Sequence, residues 1–99
     1  MEIKNKQKGD NIFMSLKGRL DANTSPKLQE ALTEALAAAE AVELDFANIE
    51  YVSSAGLRIL LIGEKKARAA EKTLALKNVS SDIMEVFEIT GFSGILQIR

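Results

Sequence analysis

The chain has 99 residues, 46% hydrophobic and 27% charged, which suits one globular domain over residues 1–99 with a single core and excludes both a disordered chain and a two-domain architecture. Thirteen Lys and Arg against fourteen Asp and Glu give a formal charge of −1, with no positive field to hold a phosphate backbone or an anionic bilayer, so neither nucleic acid nor a membrane is an expected partner. With no Cys and no His, thiolate and imidazole catalysis, the common zinc ligand sets and disulfides are all out of reach.

Glu2–Gln7, with Ile3 its one apolar residue, reads as an edge strand protected by Lys4 and Lys6 and turning at Lys8-Gly9-Asp10. Between Asp10 and Lys17, Ile12, Met14 and Leu16 alternate with polar positions, the period of a half-buried strand. Gly18–Asn23 reads as a loop. Thr24-Ser25-Pro26 then supplies a capping hydroxyl and a proline at the first helical position, opening a helix to about Ala39 with Leu28, Ala31, Leu32, Ala35 and Leu36 along one side. Val42, Leu44 and Phe46 alternate with Glu43 and Asp45 in a short strand, followed by a turn-like Ala47-Asn48-Ile49-Glu50, then Tyr51-Val52 and a break at Ser53-Ser54.

Ala55–Ala70 forms a second predicted helix. Leu57, Leu60 and Leu61 make its core stripe, and Ile59 and Ile62 widen the apolar arc beyond one buried face, which marks them either as contacts with neighbouring helices or loops or as candidate partner contacts. Lys65, Lys66, Arg68 and Lys72 gather at its end, where cations complement the helix dipole. Thr73–Lys77 is a strand with Leu74 and Leu76 on one face. Ser80-Ser81-Asp82 opens a third helix carrying Ile83, Val86 and Phe87 and stopping near Gly91, and Ile95, Leu96 and Ile98 suggest a short last strand. No stretch approaches the roughly 18 apolar residues of a membrane span, and the N-terminus lacks a signal-peptide core, so the cytoplasm is the expected compartment.

This order implies an α/β domain with a mixed, four- to five-stranded sheet, because a strand–helix–strand unit crosses over right-handedly to a parallel neighbour. The polar alternates Ser15, Lys17, Glu43 and Asp45 indicate helices mainly on one face, with the other largely open.

The segment richest in chemistry is Tyr51-Val52-Ser53-Ser54-Ala55-Gly56-Leu57-Arg58, which sets two hydroxyls at a helix start. Unpaired N–H groups and the helix dipole stabilise an anion there. Ala55 and Gly56 keep the first turn small enough for a partner or a phosphate to approach the backbone. Equally, Ser53 or Ser54 can serve simply as an N-cap. A small enzyme built on Asp21, Asp45 and Ser54 would lack a base to activate the serine.

Two segments resemble the STAS domain family and, within it, the bacterial anti-sigma factor antagonists. Gly18-Arg19-Leu20-Asp21-Ala22-Asn23-Thr24-Ser25-Pro26-Lys27-Leu28 is similar to the family's Gly-x-Leu-Asp motif running into its first helix, and Tyr51–Arg58 to its phosphorylation-site segment; Val86–Phe92 resembles its closing helix and glycine turn. The resemblance implies a STAS fold and a protein-binding switch rather than an enzyme, with no cofactor and no metal. The unphosphorylated form would bind an anti-sigma factor, a serine kinase of the histidine-kinase-like ATPase type. Phosphorylation at the position matching Ser54 would release it, and a PP2C-type phosphatase would reset it. Ser53 stands where many members carry Asp. The resemblance puts Asp21, Ser53, Ser54, Ala55, Gly56, Leu57, Arg58, Ile59 and Ile62 on the partner-binding surface. Asp21 would lie near the helix start, either hydrogen-bonded to Ser54 or Ser53 or solvated in its turn. The alternative within the fold is a STAS subunit of an ABC-type lipid transporter, docking on the ATPase subunit without phosphorylation.

Overall fold

The computed structural model describes residues 1–99. Strands β1 (Glu2–Lys8) and β2 (Asn11–Leu20) form an antiparallel hairpin closed by Gly9-Asp10, where Gly9 takes φ +62°, a conformation that costs glycine little. Helix α1 (Ser25–Ala38) leads to β3 (Ala41–Val52), α2 (Ser54–Ala69) to β4 (Thr73–Lys77), and α3 (Ser81–Thr90) through a 3-10 turn at Phe92–Gly94 to β5 (Gln97–Ile98). The five strands lie side by side in chain order, and every neighbour pair after the hairpin is parallel. Each crossover steps one strand in the same direction, so right-handed connections stack α1, α2 and α3 on one face.

That face holds the core. Met14, Leu16 and Leu20 of β2, Val42, Leu44 and Phe46 of β3 and Leu74 and Leu76 of β4 meet Leu28 and Leu32 of α1, Leu57 and Leu60 of α2 and Ile83 and Phe87 of α3. Phe87 meets Phe46 edge to face, ring centroids 6.4 Å apart. On the opposite face Glu43 ties Lys77 (3.2 Å) to Arg99 (3.0 Å), and Ser15 and Lys17 are exposed.

Two sequence expectations change. Gly18–Leu20 is strand rather than loop, and Ala47–Glu50 is strand rather than turn, because β2 and β3 stay paired through two irregularities. Ser15–Lys17 faces Asp45–Asn48, and Gly18–Arg19 faces Ile49–Tyr51, each time with one extra residue on β3. The bulges move the buried positions of β3 to Phe46, Ile49 and Val52, three apart. A period-two pattern cannot survive that spacing, which is why the segment mimicked a turn. The bulges also carry both strands to the same end, delivering Leu20 and Val52 side by side to the start of α2.

The cations at the end of α2 act on α1 rather than on their own helix end alone. Lys66 donates to the Thr33 hydroxyl (3.2 Å) and Lys72 to the carbonyl of Leu36. Arg68 pairs with the buried Glu64 (3.0 Å) and also donates to the carbonyl of Ile95, fastening the 3-10 segment to α2.

Candidate functional site

The β3–α2 junction is built by the chain's own backbone. The Ser53 N–H donates to the Leu20 carbonyl (2.8 Å), joining the ends of β2 and β3 at the helix start. Ser53 is extended and its hydroxyl accepts from the Gly56 N–H (3.2 Å), so Ser53 is the N-cap. Ser54 is then the first helical residue. Its side chain is exposed and its hydroxyl has no hydrogen-bond partner in the protein. No acidic residue lies in the first turn of α2 to occupy its free N–H groups.

Gly56 has a different cause from the one its sequence context suggested. A Cβ there would stand 2.7 Å from Leu20 Cγ and 2.8 Å from Leu20 O, so glycine is required for α2 to approach β2 from inside. It is buried and does not open the surface to a visitor. Leu57 and Ile59 are also buried, at 7% and 8% exposure. Ile59 and Ile62 face Gln29, Leu32 and Thr33 of α1 across the seam between the two helices. The wide apolar arc of α2 therefore packs on two sides, against the sheet and against α1, the helix contact that is one of the two readings of Ile59 and Ile62; Ile59 is buried there and Ile62 half-buried. What remains at the surface of this turn is Ser54 and Arg58, with Ser53 and Ala55 half-buried beside them.

Asp21 lies one residue beyond Leu20, at the same end of the sheet, but does not bond to either serine. Its carboxylate accepts from the backbone N–H groups of Asn23 (3.0 Å) and Thr24 (3.1 Å), with the Thr24 hydroxyl 3.3 Å away, closing the turn into α1. Partial desolvation opposes the charge there. The bonds from Thr24 and Asn23, with Arg19 nearby, outweigh it and hold the carboxyl below its ordinary value, so Asp21 keeps a fixed negative charge near the junction. The Thr24 hydroxyl donates to the Arg19 carbonyl (2.7 Å) instead of capping α1.

Sequence reasoning missed a neighbouring pair. The Arg19 guanidinium stacks on the Tyr51 ring at 4.3 Å from its centroid, and its Nε stands 3.9 Å from Asp21. Arg19 and Tyr51 face each other only because of the second bulge, which no local pattern announces. The surface hollows lie elsewhere. One of about 360 Å³ is lined by Lys4, Ser15 and Lys17, another of about 250 Å³ by Phe13, Glu43 and Arg99, and neither reaches the junction. Strands in chain order leave no switch point where a crevice would form at their carboxyl ends. No group of acidic side chains is arranged to hold a metal ion, and no helix is long and apolar enough to cross a membrane.

A family model described as Mlab, STAS domain, matches residues 3–97. The anti-sigma-B factor antagonist of Listeria monocytogenes is 35% identical over 101 aligned residues, which span 100% of this chain and 87% of that protein. A putative anti-sigma factor antagonist of Thermotoga maritima superposes with a TM-score of 0.89 at 15% identity, covering 97% of this chain and 84% of that one. The Bacillus cell fate determinant SpoIIAA in its phosphorylated form gives 0.77 at 17% identity, covering 99% and 91%. With the family model spanning residues 3–97, the β3–α2 junction included, and a relative 35% identical along the whole chain, the chain belongs to the STAS domain family.

Proposed function

We propose that this chain is an anti-sigma factor antagonist that docks through the start of α2 on an anti-sigma factor and is released when Ser54 is phosphorylated. The observation that carries the proposal is the division of labour between two adjacent serines: Ser53 is spent on the cap, and Ser54 offers a free hydroxyl at an exposed position. The similarity of the whole given chain to an anti-sigma-B factor antagonist supports the partner class.

The kinase moves the γ-phosphoryl group of ATP to the Ser54 oxygen, releasing ADP, with the hydroxyl proton passing to a base on the kinase. The phosphatase, of the PP2C type, returns the phosphoryl group to water. Phosphorylation brings roughly −1.5 to −2 charges to a surface that docking must desolvate. A penalty of about 4 kcal/mol weakens the complex about a thousandfold. Asp21, held ionised by its turn, adds to the repulsion. No change of fold is needed, because the N–H groups of the first turn of α2 accommodate the new charge in the free protein.

The test uses a histidine-kinase-like anti-sigma factor with ATP. Mass spectrometry should place one phosphate on Ser54, Ser54→Ala should stay unlabelled, and the phosphorylated protein should bind about a thousandfold more weakly. Label on another residue refutes the assignment. Equal binding of both forms would point instead to phosphorylation-independent docking, as on a transporter ATPase.

A further inference from the structure

Resting on Ser54 as the phosphoacceptor, we propose that Arg58 is the cation that receives its phosphate within the same molecule, so that modification ties up the free arginine of the docking surface as well as adding negative charge to it.

Ser54 and Arg58 are four residues apart on α2, and both are exposed. Residues at that spacing are neighbours on a helix surface, about 5–6 Å apart at Cβ. Helical side chains lean toward the N-terminus, so a guanidinium at position 58 has the reach to fold back over the turn that carries Ser54. An anion N-terminal to a cation is the favoured order of such a pair.

The chain has four arginines, and three are engaged. Arg19 stacks on Tyr51 beside Asp21, Arg68 holds Glu64 and the Ile95 carbonyl, and Arg99 pairs with Glu43. Arg58 has neither an ion pair nor a hydrogen bond to the protein, although its planar fork suits phosphate. In the unmodified protein it is free to meet a carboxylate of the partner. Once Ser54 is phosphorylated, the nearest anion is in its own chain.

The test installs phosphoserine at position 54 during translation, which needs no kinase, and follows the second ionisation of the phosphate by ³¹P NMR. In the native background that pKa should lie about 0.2–0.4 units below its value in Arg58→Ala. Arg58→Lys should recover part of the difference, and high salt should shrink it. Arg19→Ala should leave it unchanged. Equal values with and without Arg58 overturn the proposal, and so does an equal rise in Arg19→Ala, which would reduce the effect to the general field of the surface. A cognate kinase that ignores Ser54 would instead overturn the phosphoacceptor assignment and leave the ³¹P result standing.

Discussion

Replacing Gly56 by alanine puts a methyl group where the structure has no room. The new carbon would sit 2.7 Å from Leu20 Cγ and 2.8 Å from Leu20 O, against an ordinary carbon contact of about 3.5–4.0 Å. The second neighbour is backbone in a central strand and cannot swing aside, so the first turn of α2 must retreat by about 1 Å. That retreat stretches the 2.8 Å bond from the Ser53 N–H to the same carbonyl beyond useful length, a loss of about 1 kcal/mol. Overpacking costs about 2 kcal/mol more, and the better helix propensity of alanine returns about 1. The balance is about 2 kcal/mol, or about 8–16 °C in Tm for a domain of this size. Gly63→Ala is the internal comparison, because its Cβ would meet only side-chain methyls, Leu74 Cδ2 (3.1 Å) and Leu32 Cδ1 (3.2 Å), which have to give by a few tenths of an ångström where Gly56 meets backbone, so it should lose about 1 kcal/mol less than Gly56→Ala. Urea unfolding followed by circular dichroism measures both. A Gly56→Ala protein as stable as the parent, or less affected than Gly63→Ala, would refute the close approach as the reason for glycine.

Ser53→Ala should lose about 1 kcal/mol in the same assay through the missing cap bond to Gly56, while Ser54→Ala changes stability little; equal losses would show that the cap is misassigned. Asp45 accepts from the Ala47 N–H (2.9 Å), bonds that outweigh partial desolvation and, with Asn78 (3.1 Å) and Lys77, hold its carboxyl below the ordinary 3.8. A lowered native value means that its stabilisation is complete above the ordinary carboxylate range and disappears as pH falls through the native value. The gap in urea midpoint between the parent and Asp45→Asn should therefore narrow from about pH 6 to about pH 2.5, and a constant gap would contradict the ion-specific role.

Where side chains alternate or repeat at helical spacing, local pattern and final structure agree. The apolar face of α1, the strand Thr73–Lys77 and the Ser80 cap and Gly91 stop of α3 all carry their signal within a few residues. The departures are positions settled by distant partners. Gly18–Leu20 and Ala47–Glu50 extend as strand because each supplies the other's hydrogen bonds across an irregular register. Ile59 is buried by α1, a neighbour nearly thirty residues earlier that its own amphipathic pattern cannot reveal. At the site, the position of Ser53 and Ser54 at a helix start was readable, but which of them caps was not, since both carry the same hydroxyl and only φ and ψ distinguish them. Asp21 is claimed by Asn23 and Thr24, a local turn that competes with any longer reach.

A sheet whose strands follow the order of synthesis can be assembled as the ribosome delivers it. The β1–β2 hairpin closes from adjacent sequence, and β3, β4 and β5 each join the rim left by the strand before, covered by a helix that has already emerged. No strand has to be threaded between two that are already zipped together, so the nascent chain is spared the late rearrangement that exposes sticky rims in folds whose middle strand arrives last.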